Sequence, residues 1–386
     1  MTSIVDLEKG PVTRIHWFIR HLSKNHQITV LSINDWWKAS QSDTALYAQG
    51  FDIGNIQIIH LTERRISPFL QEIASAVSVN RLLNSIDLQG VDVHFNYNTL
   101  ISGYSVARRL KYLDIDTVYD IADDLPKMIG NSPQIPAPLR PFGRLLGSFM
   151  LRRNTDISSK VCFITNNLRK LYPVPNSRAV NIPNGVDTEL FCPCSAQSLK
   201  QELGLDGHFV IGFVGTLREW VDFGPVFTAI KELSEAELGI KMLIVGDEGG
   251  MAKAKDLARE HGILGRIVFT GTVPIVRVPA YTCCMDVCIM PLKFDNAQPI
   301  SLFQYLACGK PVISTRLLEI PPDLVLYASN KEEYKKQILN LLGNQELAKD
   351  LGLRGRRYVE QNHSWSKIAE SLERVLRSVS KVRSTQ

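Results

Sequence analysis

Short apolar runs rich in β-branched residues alternate along the chain with stretches whose apolar positions recur every three or four residues. ITVLSI (28–33) and IQIIHL (56–61) read as buried strands, each bounded by polar residues. Between Gly10 and Lys24, VTRIHWFIRHLSK places Ile15, Phe18, Ile19 and Leu22 on one helical face. VDVHFNYN (91–98) and TVYDIADD (117–124) are further strand-to-loop units, and KVCFITN (160–166) leads through a helical turn to AVNIPNGVD (179–187).

After Pro193 the pattern restarts. HFVIGFVGT (208–216) is a strand running into a glycine turn, followed by a helix in VDFGPVFTAIKEL (221–233). IKMLIVGDEG (240–249), a helix in AKAKDLAREHG (252–262), RIVFTGTV (266–273) and CMDVCIMPL (284–292) come next. SLFQYLACG (301–309) is a short helix closed by Gly309, and Pro311 opens the next strand. Trp365, Ile368, Leu372, Val375 and Leu376 form a helical stripe in the tail. Strands alternating with helices imply parallel sheets covered on both faces, and 386 residues are too many for one comfortable core. Two Rossmann-like, doubly wound domains are predicted, over about 1–185 and 186–362. Such a pair suits an enzyme with one substrate on each domain. It also suits a two-domain binding protein of the periplasmic kind.

Composition narrows the classes. The chain is 45% hydrophobic and 22% charged, which is globular. Its seven cysteines are odd in number and irregularly spaced, which predicts a reducing compartment rather than a disulfide framework. No run approaches a membrane span, and MTSIVDLEKGP lacks the basic start and apolar run of a secretion signal. A cytoplasmic location is expected. YTCCMDVCIMP reads as the start of a buried strand, and no metal is predicted. Residues 1–180 hold 20 Lys+Arg against 15 Asp+Glu, so the formal net charge of +5 sits in the first half. Arg140, Arg144, Arg152 and Arg153 surround LLGSFML. That stretch reads either as an ordinary solvated helix or as a peripheral contact with anionic lipid on the inner face of the cell membrane. No nucleic-acid motif accompanies the charge.

The chemistry concentrates in glycine turns after strands, at Gly212 and Gly215, Gly246, Gly249 and Gly250, Gly271 and Gly309. Such turns let backbone amides and helix N-termini approach a phosphate. Neither a P-loop nor an N-terminal Gly-x-Gly-x-x-Gly is present, which disfavours a P-loop ATPase and a nicotinamide dehydrogenase. Arg218 and Lys293, in strand-end loops, are candidates to neutralise a diphosphate leaving group, the alternative being plain surface cations. Trp220 is placed either to stack on a base or to plug a cleft. Asp120, Asp123 and Asp124 crowd one strand end, where one could accept a proton or hydroxyl, or Asp123 or Asp124 could cap the next helix. His94 is either poised at a strand end or a satisfied core histidine. Arg14 either addresses an anion or lies on a helix surface.

NIPNGVDTELFCP (181–193), IGFVGT (211–216), MLIVGDEG (242–249), IVFTGTV (267–273) and YLACGKPVIST (305–315) follow in an order that resembles the retaining glycosyltransferases of family four. YDIADD, GTLREWVD and PISLFQYLACGKPV are similar to the branch that makes teichuronic acid and related polysaccharides. The resemblance implies the GT-B fold, with the two domains facing across a cleft and residues 363–386 forming a helix packed back on the first. It implies transfer of a sugar, with retention, from a UDP- or GDP-linked nucleotide-sugar to a glycan or lipid-linked hydroxyl acceptor, with no further cofactor. Gly215, Thr216 and Gly246 would flank the donor diphosphate, and Ser301 and Leu302 would present the start of a helix to it. Asn296 and Gln304 stand where the family has two glutamates that address donor sugar and ribose, and Asp123 stands where many relatives have a catalytic-site histidine. Those amides keep two alternatives open: a weak or inactive nucleotide-sugar or glycan-binding protein, and a nucleotide-sugar epimerase.

Overall fold

A computed structural model of the chain describes residues 1–3, 7, 12–33, 47–61, 68–88, 90–132, 135–217, 220–236, 238–246, 250–293, 298–315 and 319–380. The chain divides into two compact units. One comprises the segments up to Pro183 and from Ser366 onward, the other Asn184–Trp365, with a short stretch ending at Phe51 assigned to the second.

Among the described residues the first unit has seven strands: β1 (Thr2–Ser3), β2 (Thr29–Ser32), β3 (Gln57–His60), β4 (Val93–Tyr97), β5 (Asp116–Ile121), β6 (Lys160–Phe163) and β7 (Ala179–Asn181). Every pairing is parallel and the order is β3-β2-β1-β4-β5-β6-β7. The inner strands are largely buried because helices cover both faces; β5 is buried from Thr117 to Ile121. β3 departs from the expectation of a buried strand. It lies at the sheet edge, so its residues are only partly covered. One apolar cluster gathers Leu31, Val79, Leu83 and Val106, and another gathers Tyr119, Ile121, Met150 and Leu151. The Arg14–Leu22 helix buries Ile15, Phe18, Ile19 and Leu22, with Phe18 edge-on to Phe95 at 6.1 Å. The tail stripe forms as expected: Trp365, Ile368, Leu372, Val375 and Leu376 are all buried on the Trp365–Val379 helix.

The second unit carries β8 (Phe209–Val214), β9 (Ile240–Val245), β10 (Ile267–Gly271), β11 (Val287–Met290), β12 (Val312–Ser314) and β13 (Leu326–Tyr327). These strands are again all parallel, in the order β10-β9-β8-β11-β12-β13. Phe223 stands edge-on to Phe213 and stacks on Phe227, with both centroid separations 5.1 Å, and so fixes the Gly224–Glu235 helix over the sheet. In each sheet the strand order reverses once, between β1 and β4 in the first and between β8 and β11 in the second. Open parallel sheets bind ligands at the carboxyl ends of the strands flanking such a reversal.

Candidate functional site

At the reversal in the second unit, β8 runs into Gly215 and β9 into Gly246. Both glycines adopt positive φ, +153° and +145°. The ladder continues through them, since Gly215 N–H donates to the Val245 carbonyl and Gly246 N–H to that of Gly271, each at 3.0 Å. The two turns touch backbone to backbone: a Cβ on Gly246 would stand 2.0 Å from the Gly215 carbonyl oxygen. A side chain here would push both turns apart, so glycine is dictated by space as well as by conformation. Thr216, next along, is exposed.

The loop after β8 is joined to the loop after β11. Lys293 N–H donates to the Trp220 carbonyl at 2.8 Å, Asp222 N–H donates to the Pro291 carbonyl at 2.7 Å, and Val221 and Leu292 pair in antiparallel fashion. The Lys293 side chain is left exposed beside the half-exposed Trp220. The segment after β12 joins the same assembly, where Leu292 N–H donates to Thr315 Oγ1 at 3.1 Å. The Ile300–Ala307 helix begins at Pro299 with no side-chain cap. It is pinned by buried Tyr305, whose hydroxyl accepts from Val214 N–H at 2.6 Å and donates to the Val214 carbonyl at 3.0 Å. Amides at an uncapped helix start, together with glycine turns and an exposed lysine, are equipped to hold an anion.

Ser301 is half-buried in the first turn, and Gln304 lies one turn on with the residue 5% exposed. The Leu302 side chain is buried in the core, so only its backbone can face a ligand. Arg218 and Asn296 lie outside the described residues, as do Asp247, Glu248 and Gly249.

In the first unit the structure separates the three crowded acids. Asp120 is fully buried and holds Arg14 through two bonds, from Nε at 2.9 Å and from an Nη at 3.2 Å. Arg14 also donates to the carbonyls of Ile182 and Pro183, both at 2.6 Å, and lies over the Phe18 ring at 4.5 Å. Arg14 is therefore neither a surface arginine nor an open anion site. Burial pushes the Asp120 carboxyl above its ordinary value against the pull of the guanidinium. Sealed at the sheet interior, Asp120 serves as a structural anchor, which corrects its reading as a catalytic acid. Asp124 caps the Leu125–Asn131 helix, accepting from Lys127 N–H at 3.0 Å, and takes a short bond from the Tyr172 hydroxyl. Asp123 alone is exposed. His94 is a core histidine, bonded to the hydroxyls of Thr2 at 2.7 Å and Thr117 at 3.1 Å.

Sequence reasoning missed Asn98. It follows β4 directly at the reversal, adopts φ 51°, and donates its side-chain amide to Asp123 Oδ2 at 2.9 Å. The available signal was an asparagine one residue past a strand, because asparagine is the commonest non-glycine residue to take up this conformation. A second missed cluster ties NIPNGVD in place. Asn184 N–H donates to Gln298 Oε1 and the Asn184 side chain donates to the Gln298 carbonyl, each at 2.8 Å. His363 Nδ1 meets the Asn184 carbonyl at 2.7 Å, and its ring stacks on Phe303 at 4.1 Å.

The two Rossmann-like units define the GT-B fold. The Anabaena protein HepE, crystallised with UDP-glucose, matches with a TM-score of 0.73 over 98% of this chain and 99% of its own, at 14% identity. Residues 208–344, which carry the glycine turns and the joined loops, match the family model of glycosyl transferases group 1. Among curated proteins, a 2-deoxystreptamine glucosyltransferase of Streptomyces kanamyceticus is 33% identical over 135 residues, covering 34% of this chain and 35% of the relative. A putative teichuronic acid biosynthesis glycosyltransferase of Bacillus subtilis is 29% identical over 174 residues, covering 44% of this chain and 42% of the relative. The chain thus spans less than half the length of these two curated relatives.

Proposed function

We propose that this protein is a retaining glycosyltransferase that moves a sugar from a UDP- or GDP-linked donor to a hydroxyl of a glycan or lipid-linked acceptor in polysaccharide or glycolipid synthesis. The observation that carries the reading is the meeting of the Gly215 and Gly246 turns, the exposed Lys293 and the uncapped Ile300–Ala307 helix at one strand reversal. HepE's complex with UDP-glucose supports a nucleotide-sugar donor, and the likeness to the Streptomyces glucosyltransferase supports sugar transfer.

In this mechanism the donor diphosphate lies over Gly215 and the first turn of the helix. As the glycosidic bond breaks, negative charge grows on the departing phosphate, and Lys293, Arg218 and the helix amides stabilise that charge more than they stabilise the ground state. The incoming hydroxyl arrives on the face the phosphate leaves, which gives retention, and the donor phosphate takes its proton. Gln304 addresses the ribose and Asn296 the sugar, as neutral hydrogen-bonding groups. We assign acceptor recognition to Asp123, oriented by Asn98.

Calorimetry with UDP, GDP and their sugar conjugates, followed by product analysis with the donor that binds, tests this reading. Lys293→Ala should lower kcat, whereas Gln304→Ala should chiefly raise donor KM. Absence of binding across the panel would overturn it. The amide at 304 favours one second reading, a nucleotide-sugar-binding protein without transfer. Donor binding with no product in the presence of varied acceptors, restored to turnover by Gln304→Glu, would select it.

A further inference from the structure

The Arg140–Ile157 helix buries Gly147, Met150, Leu151, Asn154 and Thr155 against the first unit. Its opposite side carries Phe142, Leu145, Leu146 and Phe149, spaced by three and four residues and therefore on one stripe. Phe142 and Leu145 are each 70% exposed and Phe149 57%. Leu139, just before the helix, and Met128, on the neighbouring Leu125–Asn131 helix, are exposed too. A contiguous apolar face of this kind, turned to solvent, is a surface built to be covered.

Its charged neighbours indicate what covers it. The Arg140–Ile157 helix contains four arginines and a single acid, Asp156, in its last turn. Arg152 and Arg153 are exposed one turn beyond Phe149, and Arg153 donates to the Tyr104 hydroxyl at 2.7 Å. A second copy of the chain would bring these like charges together across a twofold axis. Among the described residues no helix is long and apolar enough to cross a membrane. An apolar stripe flanked by guanidinium groups, on a helix too polar to span, fits the boundary between headgroups and acyl chains of an anionic bilayer.

We propose that the Phe142–Phe149 stripe inserts into an anionic phospholipid surface, with Arg152 and Arg153 contacting lipid phosphate. This stands on the exposed helix face and holds whether or not the chain transfers sugar.

The test is co-sedimentation of the full chain with phosphatidylcholine vesicles, with and without phosphatidylglycerol. Wild type should pellet with the anionic vesicles. Phe142→Ser/Leu145→Ser/Phe149→Ser should bind ~10-fold less, with an unchanged unfolding midpoint because the replaced side chains are solvent-exposed. Arg152→Gln/Arg153→Gln should also bind ~10-fold less and lose most of the salt dependence of binding. In a Phe149→Trp variant, lipids brominated on the acyl chain should quench the new emission. Wild type remaining in the supernatant, equal pelleting of the triple variant, or no quenching each overturn the proposal. A lipid-free dimer that the triple variant abolishes would overturn it in favour of a second copy as the occupant.

Discussion

Asn98 donates its side-chain amide to the carboxylate of Asp123 at 2.9 Å while its own backbone sits at φ 51°. The backbone conformation at the end of β4 thereby fixes the orientation of the one exposed acid in YDIADD. Asn98→Ala forces an ordinary side chain into that conformation and removes the bond, and should cost about 1–3 kcal/mol in urea unfolding. Asn98→Gly relieves the backbone and should cost under about 1 kcal/mol. Both should lower turnover alike if orientation of Asp123 is what matters; full turnover in Asn98→Gly would refute the positioning role.

The Arg14–Asp120 pair makes a second expectation. Arg14→Met leaves a buried carboxylate without its cation and should cost about 3–5 kcal/mol. The double variant Arg14→Met/Asp120→Leu should recover part of that loss, since it leaves no unpaired charge. Equal stability of the single variant and wild type would show that the pair contributes nothing.

Gly246→Ala places a Cβ against the Gly215 carbonyl and requires φ near +145° of an alanine. The expected loss is at least about 2 kcal/mol, with nucleotide affinity falling alongside. Gly265, which has nothing within 4 Å of a built Cβ, provides the control, and Gly265→Ala should stay within about 0.5 kcal/mol of wild type. If the two variants unfold together, the two turns do not need their close approach.

Acid should destabilise the fold through its buried histidines. Burial holds His16 down at about 4, lowers His363, and lowers His94 well below its ordinary value. Below pH 6.5 the unfolded chain takes up protons that the native chain refuses, so stability falls as pH falls. His16 alone should account for about 3 kcal/mol between pH 6.5 and 4, from 1.36 kcal/mol per unit. Denaturant midpoints measured across that interval check the sign. A midpoint rising toward pH 4 would contradict it.

The fold class was legible because parallel strands announce themselves: β8 and β11 are apolar runs that end at Gly215 and Pro291, and β9 is interrupted only by Lys241 before Gly246. IQIIHL has the composition of an inner strand, and only the strand order places β3 at an edge. At the turns after β8 and β9 the glycines were readable from residue type, but the pairing of Trp220 with Lys293 was not. It consists of backbone bonds between segments some seventy residues apart. Asp120, Asp123 and Asp124 show the opposite limit. Adjacency in sequence suggested one shared environment, yet Asp120 lies within β5, whose two faces are both covered, while the turn after the strand leaves Asp123 exposed.

Each bond that joins the segment Trp220–Asp222 to Pro291–Lys293 runs from main chain to main chain. The frame is therefore indifferent to which side chains it carries but intolerant of a change in their number. Insertion or deletion of one residue in either segment would slip the pairing and displace both positions at once, while substitution at 220 or 293 leaves it whole. Change at this corner of the sheet is thus tolerated as replacement of residues at fixed places and not as a change in the length of either paired segment.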